Sequence, residues 1–164
     1  MHGLTSARAF KFGMALVVGL ALAACAKNDD SLNGAGYAAG APGSYQDFTG
    51  NVGDRVFFET DSTELTSNAQ ATLDKQANWL NQYSRYTFTI EGHADERGTR
   101  EYNFALGARR AEATKNYLVA KGVAVTRMKT ISYGKERPVA VCNDISCWSQ
   151  NRRAVTVLAG APTS

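Results

Sequence analysis

Between Tyr86 and Gly134 the hydrophobic period of the chain changes twice, and that change narrows the possible folds more than any other feature. Tyr86, Phe88 and Ile90 alternate with Thr87, Thr89 and Glu91, the mark of a strand with one face buried. Gly92 closes it, and a polar loop from His93 to Thr99 leads into a helix expected over about Arg100 to Lys121. Gly122 stands where a helix ends in a left-handed residue, with Lys121 in the last turn. Met128 to Tyr133 then reads as a further strand, stopped at Gly134.

The flanks extend the pattern. Order is expected from near Arg55, where Val56-Phe57-Phe58 forms a short apolar strand. Ser67-Asn68-Ala69-Gln70 matches a capping box, and Leu73, Ala77, Leu80 and Tyr83 keep helical spacing behind it. Pro138 to Gln150 predicts an irregular loop with one helical turn. Arg153 to Leu158 predicts a last strand with Ala154, Thr156 and Leu158 on one face. The order β-α-β-α-β-β implies an α+β two-layer sandwich, two helices on one face of a mixed four-stranded sheet. About 105 residues suffice for one core.

The N-terminus is of another kind. Arg8 and Lys11 precede an almost wholly apolar or small run, Phe12 to Ala24. A spanning helix needs about 20 apolar residues, and Lys27, Asp29 and Asp30 stop this run from being extended. A secretory signal peptide over residues 1–24 fits better. Leu22-Ala23-Ala24-Cys25 resembles the lipobox of bacterial lipoproteins, in which the Cys is lipidated and becomes the N-terminus after cleavage. Ala26, rather than Asp, follows Cys25, which that resemblance associates with the outer membrane. Residues 25–53, rich in Gly, Ala, Ser, Asn and Asp, read as the lipidated Cys and a flexible tether, with the folded domain at 54–160.

The formal charge is +3, and without Arg8 and Lys11 it falls to +1, 16 basic residues against 15 acidic. A balance so close to zero offers no field for phosphate backbones, so nucleic acid is not an expected partner. Cys142 and Cys147 are separated by four residues. In an exported chain such a pair reads as a local disulfide. Metal ligation is the alternative, but no other Cys and no nearby His completes a ligand set.

Asp95 falls just past the second strand, and Asn103, Leu106 and Arg110 share one stripe of the helix that follows. Arg109 lies about 100° round and is expected in solvent. A guanidinium held against the body of a domain needs an acidic partner or a ligand. Two readings stay open: an internal Asp95–Arg110 ion pair, or a site in which Asp95 takes an ammonium and Arg110 a carboxylate. An enzyme would need more. His2 is removed with the signal peptide, and His93 has no second His with which to build a metal or acid–base centre. His93 itself reads as a hydrogen-bonded structural residue, and Arg97, Arg100 and Lys135 as ordinary solvated charges.

Four stretches carry a resemblance: Gly92-His93-Ala94-Asp95-Glu96-Arg97-Gly98-Thr99, the run from Asn103 to Ala111, Ser132 to Pro138, and Asn151-Arg152-Arg153-Ala154-Val155. Together they resemble the OmpA C-terminal-like family of peptidoglycan-binding domains, over roughly Arg55 to Leu158. The resemblance implies binding of the meso-diaminopimelate of peptidoglycan stem peptides, with Asp95 and Arg110 as the charged contacts. It further implies that Asn103 orders the loop or touches ligand, and that Thr60 and Asp61 lend backbone N–H groups. It departs at Thr60, where other members often carry Phe, and at the cysteine pair, which they often lack. No catalysis and no cofactor are implied. TolB and other envelope proteins of the Tol–Pal system are implied as partners.

Overall fold

The computed structural model describes residues 40–160. The expected signal peptide, Cys25 and the part of the tether before residue 40 lie outside the described residues. Four strands, β1 (Arg55–Phe57), β2 (Phe88–His93), β3 (Met128–Gly134) and β4 (Arg153–Leu158), form one sheet in the order β1-β4-β2-β3. β4 runs antiparallel to β1 and β2, whereas β2 and β3 are parallel, so the sheet is mixed. Two long helices, α2 (Ser67–Gln82) and α3 (Arg100–Ala120), pack on one face of it. This is the expected two-layer sandwich. Val56, Ile90, Ala154 and Leu158 of the strands meet Leu73, Ala77, Leu80 and Leu118 of the helices in a single core.

Local chemistry explains the element ends. Thr66, not Ser67, caps α2: its Oγ1 accepts from the Ala69 N–H at 3.2 Å. Gln70 Nε2 donates to Leu65 O at 3.0 Å instead of closing the expected capping box. The Thr66 hydroxyl already serves the N–H at the third helical position, which draws Ser67 into the first turn. Thr99 caps α3 in the same way, accepting from Tyr102 N–H. Gly122, at φ +87, ends that helix as expected. Buried Gln76 ties the layers together, donating to Gly53 O and accepting from Thr156 Oγ1.

Two elements exceed the expectation. The packed chain begins before Arg55, with α1 (Tyr45–Asp47) and a π-helical turn, Phe48–Val52. Phe48 is fully buried, 4.8 Å from the Trp79 ring between centroids. Asp47 Oδ2 accepts from both Trp79 Nε1 and Gly43 N–H at 2.8 Å. The boundary expected at 53 therefore moves back to at least Gly43. A single aromatic anchor in a Gly- and Ala-rich stretch has no periodicity to betray it. The second is α4 (Ile145–Asn151), capped by Asp144, where one helical turn was expected. Cys142 and Cys147 are joined by a disulfide at its start, which removes the metal alternative for that pair.

His93 is buried at the end of β2, yet neither ring nitrogen has a hydrogen-bond partner among the described residues. The expectation of a hydrogen-bonded structural histidine is corrected accordingly. Burial first, then the positive charges of Arg153, Arg137 and Arg55, lower its pKa from 6.5 to about 3. Between those values the unfolded chain binds a proton that the folded chain does not. Its contribution to stability is therefore complete above pH 6.5 and is lost as the pH falls toward 3, at up to about 1.4 kcal/mol per pH unit. Carboxylates titrate below most of this window. Melting temperature is expected to drop from pH 7 to pH 5 in the wild type and to stay nearly flat in His93→Leu. Parallel curves for the two proteins would contradict this assignment.

Candidate functional site

The site is placed by how closely α3 lies against β2. A Cβ on Gly92 would fall 1.8 Å from Gly107 O, and one on Gly107 would fall 2.5 Å from Ser132 Oγ. Only glycine at both positions lets helix and strand touch backbone to backbone. Ser132 Oγ also donates to Phe104 O at 2.6 Å, fixing α3 along its axis. Arg110, one turn beyond Gly107, is thereby set at the end of β2.

Arg110 is fully buried, while Arg109 is exposed. Its Nη1 donates to His93 O (2.8 Å), Nε to Ser62 O (2.9 Å) and Nη2 to Glu59 O (3.2 Å). The Phe58 ring lies 5.2 Å from its guanidinium carbon. Among the described residues no carboxylate forms an ion pair with it, so the expected alternative of an internal Asp95–Arg110 bridge is not what forms. Burial, and then Arg152, lower its pKa to about 10, which leaves it cationic at neutral pH. A guanidinium has five N–H donors. Three are used on carbonyls, and two remain on Nη1 and Nη2.

Asp95, nearly buried, pairs instead with Arg97 and Arg152. Burial alone would raise its pKa, but the bonds from Arg97 and Arg152 outweigh burial and hold the carboxyl below its ordinary value. Thr60 and Asp61 form the turn after β1, with Asp61 in the left-handed region at φ +55. Ser62 N–H turns back to Glu59 O, while the N–H groups of Thr60 and Asp61 meet no acceptor among the described residues. The Asp61 carboxylate accepts from Tyr102 Oη. Buried Asn103 donates from Nδ2 to Arg97 O at 2.7 Å, so it orders the loop.

Thr60, Asp61, Asp95, Asn103 and Arg110 all line one cleft of about 250 Å³. The structure thus brings together every residue expected in the binding site. Cys25 lies outside the described residues. A larger groove of about 560 Å³ runs between the start of α3 and the end of β3. Its Arg100 and Glu136 are exposed and paired with each other, so it holds no comparable buried charge.

Contacts made by Arg97 in the cleft, and by Lys135 and Arg152 beside it, escaped sequence reasoning. Arg97 is exposed, as expected, but also paired: Nε and Nη2 bind the two Asp95 oxygens at 3.0 and 2.7 Å. Lys135 Nζ donates to the carbonyls of Glu96 and Gly98, pinning the same loop. Arg152 is buried, with Nε on Phe58 O and Nη1 on Asp95 Oδ2. The alternation that buries Ala154, Thr156 and Leu158 carries back to position 152, so a signal for Arg152 was present. With fixed charge of both signs at its walls, the cleft can receive a group that has a carboxylate at one end and an ammonium at the other.

Fold and cleft place the domain among the OmpA-like α+β modules. The sequence model described as the OmpA family matches residues 57–152. The C-terminal domain of Helicobacter pylori MotB shares the fold, at TM-score 0.61 and 20% identity over 66% of this chain and 85% of that one. The chain belongs to the OmpA family, in its branch of peptidoglycan-associated lipoproteins. It is 68% identical to the peptidoglycan-associated lipoprotein of Rhizobium meliloti, over 90% of this chain and 87% of that protein. It is also similar to the crystal structure of the peptidoglycan-associated lipoprotein from Burkholderia pseudomallei. That match has TM-score 0.62 and 43% identity, over 64% of this chain and 89% of that one.

Proposed function

We propose that the protein is an outer-membrane lipoprotein of the bacterial envelope. It grips peptidoglycan non-covalently through the meso-diaminopimelate of stem peptides and tethers the outer membrane to the cell wall. It binds and does not catalyse. The observation that carries this reading is Arg110: a fully buried cation with no carboxylate partner among the described residues, facing a cleft whose other wall holds Asp95. The side-chain end of diaminopimelate carries both an ammonium and a carboxylate. The carboxylate meets the two remaining donors of Arg110, and the ammonium meets Asp95. Thr60 and Asp61 offer backbone N–H groups at the rim, and Asn103 holds the loop that carries Asp95.

The names of its relatives agree with peptidoglycan as ligand. Lipidation at Cys25 and outer-membrane residence rest on the Leu22-Ala23-Ala24-Cys25 pattern and on Ala26 after it. Partnership with TolB and other envelope proteins of the Tol–Pal system, in support of envelope integrity and division, rests on family resemblance.

Charge-assisted bonds contribute about 1.5–3 kcal/mol each. Asp95→Asn keeps the shape and removes the charge, so binding to purified sacculi is expected to weaken at least about tenfold. The readout is co-sedimentation, with circular dichroism confirming the fold. A folded Asn variant that sediments like the wild type would remove Asp95 from the site.

A further inference from the structure

The acceptor positions of Asp95 are taken by arginine donors. A carboxylate presents about four lone-pair sites. Oδ1 accepts from the Arg97 N–H (3.2 Å) and Arg97 Nε (3.0 Å), and Oδ2 from Arg97 Nη2 (2.7 Å) and Arg152 Nη1 (3.3 Å). An incoming ammonium therefore meets an anion already satisfied, and one donor has to yield.

The surroundings decide which. Arg152 is buried and anchored through Nε to Phe58 O at 3.0 Å. The Arg97 backbone is held by Asn103, which donates to its carbonyl. The Arg97 side chain, by contrast, is 41% exposed, and among the described residues nothing but Asp95 binds its side-chain nitrogens. Its guanidinium carbon lies 4.2 Å from the centre of the Trp148 ring, a face that attracts a cation whether or not Asp95 is engaged. Trp148 is itself held, its Nε1 donating to Glu96 Oε1 and its helix stapled by the Cys142–Cys147 disulfide.

We propose that the Arg97 guanidinium is an intramolecular latch: it occupies the ammonium position on Asp95 in the free protein and is displaced along the Trp148 face when ligand binds. The proposal rests on the diaminopimelate reading of the cleft. It adds that affinity is set by a competition between the ligand's ammonium and the protein's own cation. The latch keeps Asp95 charged and in place without ligand, and it holds binding in a weak, reversible range suited to a repetitive polymer.

The test is calorimetric titration of the purified protein with a stem tripeptide ending in meso-diaminopimelate. Wild type, Arg97→Gln and Arg110→Ala are compared. Removing a partly exposed ion pair is expected to tighten binding roughly two- to fivefold in Arg97→Gln, while Arg110→Ala shows no binding. Arg97→Lys, which keeps the cation but not the fork, is expected between wild type and Gln, and carries the test if the Gln variant does not fold. Equal or weaker binding by a folded Arg97 variant, with wild type binding and Arg110→Ala silent, overturns the latch and leaves the site intact. No binding by wild type overturns the reading of the site, and the latch with it.

Discussion

Arg110→Ala is expected to abolish retention on sacculi that contain meso-diaminopimelate, with affinity falling at least about thirtyfold. Truncating one member of a desolvated charge pair typically costs 2–5 kcal/mol or more, because the group left behind stays buried without a partner. On the proposed reading the group left behind is a ligand carboxylate, and the donors facing it belong to a cation with no carboxylate partner among the described residues. The same side chain also holds the carbonyls of Glu59, Ser62 and His93, so some loss of stability accompanies the change. Arg110→Lys separates the two effects. It keeps a positive charge near the carbonyls but lacks the planar fork, and it is expected to fold while binding poorly. Full retention by a folded Arg110→Ala protein would make the guanidinium a purely internal brace.

Phe48→Ala is expected to remove about 3–5 kcal/mol of stability without altering the cleft. The ring is wholly buried against Trp79, and the Trp79–Asp47 bond holds the same segment down. A loss of that size lowers the melting temperature on the order of 10–20 °C for a domain of this length. Sedimentation with sacculi by the folded protein should be unchanged, since Phe48 lines no part of the binding cleft. A melting temperature within a few degrees of wild type would return residues 43–52 to the tether.

These two residues mark how far the sequence could be read. Arg110 was legible because helical spacing placed it on the stripe of Asn103 and Leu106, the stripe that proved buried. The strands of Phe88–His93 and Arg153–Leu158 were legible for the same reason, since alternation is a local property. Phe48 was not, because its burial depends on Trp79, thirty-one positions away, and on no repeat of its own. Nor was the pairing of Asp95 with Arg97: two residues apart in a loop, their contact depends on a backbone turn that no periodicity encodes. Arg152 stands between these cases. Its register with Ala154 and Thr156, one residue ahead of β4, was readable, but its partner Asp95 lies fifty-seven residues earlier in the chain.

The central claim is that the cleft recognises a zwitterion rather than a charge of one sign. The most direct test titrates the wild-type protein with two stem tripeptides, one ending in meso-diaminopimelate and one ending in lysine. They differ only in the side-chain carboxylate that Arg110 is assigned to hold. The lysine peptide is expected to bind at least about tenfold more weakly, the loss of one charge-assisted contact. Equal affinity for the two would contradict the account, because Arg110 would then take no part in recognition.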